Sequence, residues 1–194
     1  MKYSTSNKLL TFIRHAPSHP SGFLYGRCDA DICDILPSNI SFLRSQINDN
    51  SLIVCSPARR CQKTCDAILS SGHPRHTLDS LWEQSFGLWD GIAFSKVPDI
   101  GALKGEELVE FKPPNGESFK ELCMRVHPVI EHYCLNNKAQ KIIFFVHAGV
   151  IRAALALAFG SHLSALKCEI DTLSVTSLRH LGELNFSVIA INKS

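Results

Sequence analysis

Three short apolar runs constrain the fold of this chain most. They lie at residues 9–13, 51–55 and 141–146, and apolar and polar side chains barely alternate along them. A strand with this pattern is buried on both faces, as in a parallel sheet covered by helices. Apolar residues at helical spacing follow each run before the next one begins. The sequence therefore predicts an α/β fold whose parallel strands are connected by helices.

Two β-rich segments near the end of the sequence predict a different pairing. Residues 173–181 and 184–191 are separated only by Gly182-Glu183, which is short enough for a hairpin. We therefore expect a three-layer α/β sandwich, with a mostly parallel sheet, an antiparallel edge and helices on both faces. With 194 residues, we expect one domain over residues 1–194, with a small lid excursion around residues 92–115.

Two prolines bear on the predicted helices. Ser56 and Pro57 follow the second apolar run, and a serine cap with proline in the first turn predicts that a helix starts there. Pro128 lies inside the apolar spacing of a long helix that opens near Ser118. A proline at that position predicts a kink in the helix or a join between two helices.

Composition and motifs exclude several classes of protein. The formal net charge is only +2, without a long basic run, so no nucleic-acid partner is expected. No apolar run approaches the ~20 residues of a membrane span, and residues 9–13 are too short for a signal peptide, so we expect a cytoplasmic protein. The eight cysteines form no four-ligand zinc pattern, and P-loop and GxGxxG motifs are absent. We therefore expect no metal and no cofactor.

Charged and nucleophilic side chains stand where the predicted elements end. Arg14 and His15 follow the first apolar run, His147 follows the third, and Arg60 lies in the helix after the second. Ligands of open α/β sheets bind beyond the carboxyl ends of the strands, so we expect these groups to converge. Glu83 lies in an aromatic-rich segment, whose apolar surroundings would suit a carboxyl that donates a proton.

This set of side chains suits a phosphate dianion. Two guanidinium groups match the oxygens of phosphate, and we expect His15 to attack the phosphorus while the cations stabilise charge in place of a metal. Glu83 would give a proton to the leaving oxygen. Simpler interpretations are a strand-end Arg-His pair, solvated arginines and a surface glutamate. For the whole protein, a non-catalytic phosphate-binding module is the alternative.

Five segments together resemble the histidine phosphatase superfamily, also called the phosphoglycerate mutase-like family. The resemblance covers nearly the whole chain, and the segments occur in the family's order. They are Arg14-His15-Ala16, residues 56–64 with Arg60, residues 81–91 with Glu83, Gly116-Glu117-Ser118, and residues 146–152 with His147. The resemblance implies the phosphoglycerate mutase-like fold. The catalytic residues that it implies are His15, Glu83, His147, Arg14 and Arg60.

Departures from the family's pattern bear on the substrate. Ala16 replaces the usual glycine, and Ser21 stands where phosphoglycerate mutases carry an asparagine. The Arg-His-Ala-Pro start with Tyr25-Gly26-Arg27 downstream is similar to the branch that contains α-ribazole phosphatases. The substrate-binding residues implied are Arg14, Arg60, Arg27 and Ala148. For Arg27, a solvated loop arginine is an equal alternative.

The resemblance thus implies a metal-independent phosphomonoesterase with a phosphohistidine intermediate, acting on α-ribazole 5′-phosphate in cobalamin biosynthesis. A broad-specificity sugar-phosphate or phosphoprotein phosphatase, or a phosphoglycerate mutase, would use the same residues. We expect a small phosphorylated substrate as the partner, and a homodimer is one candidate assembly.

Overall fold

The computed structural model describes residues 7–69 and 72–194. The strands are β1 (Leu9–Arg14), β2 (Ser18–His19), β3 (Asp31–Ile32), β4 (Leu52–Cys55), β5 (His76–Thr77), β6 (Lys141–Val146), β7 (Val175–Gly182) and β8 (Asn185–Lys193). The helices are α1 (Pro37–Ser45), α2 (Arg59–Leu69), α3 (Glu106–Glu110), α4 (Phe119–Leu135), α5 (Ala148–Phe159) and α6 (His162–Leu166). Short 3₁₀ turns occupy Asp79–Leu81, Gly87–Trp89 and Phe94–Lys96.

Six of the strands form one sheet, in the order β5-β4-β6-β1-β7-β8. The four strands β5, β4, β6 and β1 run parallel. β7 is antiparallel to both β1 and β8. The predicted mostly parallel sheet with an antiparallel edge is confirmed, and β1 and β6 are neighbours in it.

Alternate residues of the two central strands pack into separate cores. Phe12 of β1 and Phe144 of β6 belong to the core that includes residues of α4 and α5, and their rings stack with centroids 4.7 Å apart. Ile13 and Phe145, one position later, belong to the core that includes residues of α1 and α2. Both faces of these strands are therefore buried, which is why their sequences do not alternate. The helices on the two faces complete the predicted three-layer sandwich.

The predicted start of α2 at Ser56 and Pro57 is wrong, because the helix begins at Arg59. The Ser56 hydroxyl accepts a hydrogen bond from the Ala58 backbone N–H at 3.3 Å. It also lies 2.8 Å from Nε2 of His147. Serine is a residue type that commonly caps helices, but Ser56 instead contacts His147, at the end of the neighbouring strand β6.

The predicted join at Pro128 is absent, since α4 is one helix of 17 residues. Proline has no N–H, so the carbonyl of Met124, one turn earlier, receives no helical hydrogen bond from it. The Met124 side chain is 69% exposed. This side of α4 therefore faces water, which can hydrate the carbonyl.

Two segments expected to be irregular contain short elements. The long loop after β1 includes β2 and β3, which pair with each other. The excursion around residues 92–115 includes the turn Phe94–Lys96 and helix α3. Within the described ranges, no helix combines the length and apolar character needed to cross a membrane.

Candidate active site

The two strand-end histidines lie side by side. β1 and β6 are parallel and in register, with Arg14 opposite Val146. The backbone N–H of His15 donates to the Val146 carbonyl at 3.0 Å, so the alignment continues past the strand. The His15 and His147 rings have centroids 5.1 Å apart and planes at 66°. The sheet therefore brings together two imidazoles that are 132 positions apart in the sequence (147 − 15).

His15 is held in one tautomer. Its Nδ1 lies 2.7 Å from the Ala16 carbonyl oxygen, and because a carbonyl can only accept, Nδ1 carries the proton. Nε2 then keeps its lone pair. Burial, followed by the positive charges of Arg60 and Arg14, lowers the pKa of His15 to about 3. The ring is therefore neutral at physiological pH, as a nucleophile requires.

His147 is wholly buried. Besides Ser56, it contacts Cys61, whose Sγ lies 3.5 Å from Nε2, and Trp82, whose ring is parallel to the imidazole at 6.5 Å between centroids. Burial, and then the charges of Arg60 and His15, lower the pKa of His147 well below its usual value. This ring is also neutral in the free protein.

The guanidinium groups of Arg14 and Arg60 are oriented by backbone carbonyls. Arg14 Nη1 donates to the Ile170 carbonyl at 2.5 Å, and Arg60 donates through Nη1 to Cys28 at 2.9 Å and through Nη2 to Gly26 at 2.9 Å. The Nε of each arginine is buried without a hydrogen-bond partner among the described residues. A buried unpaired donor costs about 1–3 kcal/mol. Each Nε–H therefore has a hydrogen-bonding capacity that no described group uses.

Glu83 is 9% exposed, and backbone groups hold its carboxyl. Oε1 accepts from the Gln84 N–H at 2.9 Å, and Oε2 accepts from the Gly149 N–H at 3.2 Å. Gly149 lies in the first turn of α5, two residues after His147. The carboxyl is thus tied to the chain segment that carries the second histidine.

Arg125, which is absent from the residues predicted for the site, fixes the segment that carries Glu83. Its Nη2 donates to the Glu83 carbonyl and its Nη1 to the Ser80 carbonyl, both at 2.8 Å. Nη2 also lies 2.6 Å from Oε1 of Glu117, in a largely buried ion pair. The sequence does give one indication of a partly buried arginine. Arg125 falls three residues after Leu122 and therefore lies beside the apolar stripe of α4.

A cavity of about 370 Å³ lies beside His15 and Glu83. Arg14, His15, Glu83 and Ala148 line it, together with Arg152, to which we assigned no role. His147 and Arg60 do not line the cavity; both are wholly buried.

Arg27 does not line the cavity either. Its side chain is exposed, and its backbone N–H donates to the Asp90 carboxylate at 3.2 Å. Arg59, the neighbour of Arg60, is also exposed and pairs with Asp31. The structure thus brings most of the predicted site residues together around His15: Arg14, Arg60, Glu83, His147 and Ala148. Arg27 lies outside this cluster and outside the cavity lining.

Acid should weaken the folded state through the buried histidines. The folded-state pKa of His15 is about 3, against an ordinary 6.5. Between these values the unfolded chain binds a proton that the folded chain does not, so the free energy of unfolding falls as the pH falls. The slope is at most about 1.4 kcal/mol per pH unit for each histidine. Denaturant titrations between pH 7 and 4 should give a shallower slope for His15→Asn, and an unchanged slope would contradict the expectation.

The sequence matches one protein family over almost its whole length. Residues 10–192 match the sequence profile of the Histidine phosphatase superfamily (branch 1). The chain belongs to this superfamily. A curated relative is mouse 6-phosphofructo-2-kinase/fructose-2,6-bisphosphatase 1, which is 25% identical to this chain over 140 residues. That match covers 69% of this chain and 28% of the mouse protein. The chain therefore spans less than a third of the length of that relative.

Solved structures share the fold. The α-ribazole phosphatase from Shigella flexneri matches this chain with a TM-score of 0.77 at 22% identity, covering 95% of this chain and 96% of that one. Mycobacterial glucosyl-3-phosphoglycerate phosphatase matches with a TM-score of 0.80 at 18% identity, covering 96% and 99%. These likenesses confirm the predicted phosphoglycerate mutase-like architecture.

Proposed function

We propose that this histidine phosphatase hydrolyses phosphomonoesters through a phosphohistidine on His15, without a metal ion. One observation carries the proposal. A neutral imidazole with a free Nε2 stands beside a second buried histidine, and the Nε–H groups of Arg14 and Arg60 are buried and unpaired among the described residues. These are the groups that phosphoryl transfer requires for attack and for charge stabilisation.

The proposed reaction has two steps. In the first, the Nε2 lone pair of His15 forms a bond to phosphorus while the bond from phosphorus to the ester oxygen breaks. Glu83 donates its proton to that oxygen, so the alcohol leaves neutral. In the second, water attacks phosphorus, Glu83 takes a proton from the water, and the P–N bond breaks. Inorganic phosphate leaves, and His15 and Glu83 regain their starting states.

The positive charges act on the phosphoryl group in both steps. Arg14 and Arg60 would donate their unpaired Nε–H groups to its oxygens, and His147 would donate from a ring nitrogen once it is protonated. The charge that develops on the transferred group would be met by preorganised donors in a buried site, where such contacts are strong. We propose that these cations take the place of a metal ion.

For the substrate, we propose α-ribazole 5′-phosphate, which would place the enzyme in cobalamin biosynthesis. The support is the Arg-His-Ala-Pro start with Tyr25-Gly26-Arg27. A broad-specificity sugar-phosphate or phosphoprotein phosphatase, or a phosphoglycerate mutase, would use the same chemistry. A single domain over residues 1–194 with a lid at residues 92–115, a cytoplasmic location, a homodimer and the absence of a nucleic-acid partner stay predictions.

A phosphate-release assay tests the proposal. The panel should contain α-ribazole 5′-phosphate, a phosphoglycerate, a sugar phosphate and a phosphopeptide, each with and without EDTA. We expect release that EDTA does not change, with α-ribazole 5′-phosphate as the best substrate. Activity lost in EDTA would contradict the metal-free mechanism. Phosphate binding without release from any ester would favour the non-catalytic module.

A further inference from the structure

One part of the cavity wall is aromatic and has no part in the proposed chemistry. Phe23, Tyr25, Phe86 and Phe94 all line the cavity that contains His15; we call these four residues the aromatic wall. Phe94 is 59% exposed, and the other three are half-buried. The Phe23 and Tyr25 rings have centroids 6.1 Å apart. Aromatic surface thus lies beside the reacting groups, open to whatever occupies the cavity.

Backbone hydrogen bonds hold the aromatic wall in place. Phe23 and Ala93 form an antiparallel bridge. On either side of it, the Leu24 N–H donates to the Ile92 carbonyl and the Phe94 N–H to the Gly22 carbonyl, both at 2.9 Å. The two chain segments that carry Phe23 and Phe94 are therefore fastened to each other, and both rings are presented from a fixed backbone.

The aromatic wall is also connected to the phosphate-binding groups. Arg60 Nη2 donates to the Tyr25 carbonyl at 3.2 Å as well as to the Gly26 carbonyl. The arginine that would bind the phosphoryl group is thus fastened to the segment that carries Phe23 and Tyr25. A substrate whose phosphorus lies at His15 would have its leaving group within the same cavity.

The chemistry of the wall selects among leaving groups. Aromatic rings gain about 0.5–1.5 kcal/mol from offset or edge contacts with another aromatic ring, beyond the gain from buried area. Hydroxyl groups placed against ring carbons would lose hydrogen bonds to water without replacement. Polar lining residues, including Ser21, Gln84 and Thr172, can satisfy the polar part of a leaving group.

We infer that the aromatic wall is a specificity-determining site that binds an aromatic or heteroaromatic ring on the leaving group. This rests on the proposed function, because it assumes that the phosphoryl group is bound at His15. The substrate class is phosphomonoesters of alcohols that carry an aromatic or heteroaromatic ring, with nucleoside-like alcohols among them. Small polyol phosphates fall outside the class.

A matched pair of substrates tests the inference. Benzyl phosphate and cyclohexylmethyl phosphate differ in the aromaticity of a six-membered ring and are otherwise alike. We expect kcat/KM to favour the benzyl ester on the order of 10-fold. Phe94→Leu should lower that ratio several-fold, and Phe23→Leu/Phe94→Leu should bring it close to one. Phe159→Leu, at an exposed position on α5 outside the cavity lining, should leave the ratio unchanged.

Binding of the non-hydrolysable phosphonates separates this inference from the proposed function. Calorimetry with benzylphosphonate and cyclohexylmethylphosphonate should give a similar preference in Kd, and Phe94→Leu should reduce it. If the protein binds benzylphosphonate preferentially but hydrolyses neither ester, the role inferred for the aromatic wall is supported and the proposed phosphatase activity is contradicted. If both esters are hydrolysed with equal kcat/KM, or if Phe94→Leu lowers kcat/KM equally for both, the specificity inferred for the aromatic wall is wrong and the proposed phosphatase activity is unaffected.

Discussion

His15→Ala should lose phosphate release on the order of 10⁴-fold or more, the scale seen when an enzyme loses its nucleophile. The variant has no Nε2 lone pair to bond to phosphorus, so the first chemical step has no route. Rapid quench of the wild-type protein in denaturant at alkaline pH, after mixing with ³²P-labelled substrate, should trap label that is stable to base and labile to acid, as a phosphoramidate is. The variant should trap none.

Two other histidine variants serve as comparisons. His132→Ala, at the exposed end of α4, should retain wild-type activity. His147→Ala should also lose most turnover, because it removes a donor to the phosphoryl group, but it should retain some affinity for inorganic phosphate through Arg14 and Arg60. Full activity in folded His15→Ala, or label found on serine or cysteine, would refute the nucleophile assignment.

The strand ends were predictable because burial on both faces leaves a strong pattern. Phe12 and Ile13 pack into opposite cores, and only a strand covered on both sides needs two consecutive large apolar residues there. Once β1 and β6 are recognised as parallel strands of one sheet, Arg14, His15 and His147 must emerge at the same edge. The position of these groups thus followed from the arrangement of strands, without knowledge of any side-chain contact.

Contacts made across the fold were not predictable in the same way. Ser56 has the sequence context of a helix cap, and a local pattern cannot distinguish a hydroxyl that caps a helix from one that contacts His147. Arg125 holds the Glu83 segment through carbonyls more than 40 residues away in sequence. Nothing near Arg125 encodes that partner. Local periodicity therefore predicts elements and strand ends, whereas the groups that orient the proposed catalytic side chains depend on tertiary packing.

Glu83→Gln should lower kcat by about 10²–10⁴-fold for alkyl phosphates, the usual size of a general acid–base contribution. Glutamine is similar in size but cannot transfer the proton. With p-nitrophenyl phosphate, whose phenolate leaves without a proton, the first step should be nearly unaffected. The second step should still be slow, because no group takes the proton from water. Stopped-flow traces should therefore show a burst of about one equivalent of nitrophenolate.

Glu106→Gln, on the exposed helix α3, is the matched control and should behave as wild type. If Glu83→Gln slows the first step equally for an alkyl phosphate and for p-nitrophenyl phosphate, the assignment of Glu83 as the acid is contradicted.

Gly149→Ala tests whether the position of the Glu83 carboxyl matters. A Cβ at this position would overlap Oε1 of Glu83 and approach Cδ2 of Leu122 to 2.9 Å, so the carboxyl must move away. We expect a loss in kcat for alkyl phosphates of about 10-fold or more, since a small misplacement of a catalytic group is costly. If that loss acts through Glu83, adding Gly149→Ala to Glu83→Gln should cost little more, because the group being displaced no longer transfers protons. Fully multiplicative losses in the double variant would show instead that Gly149→Ala acts through the packing around Leu122.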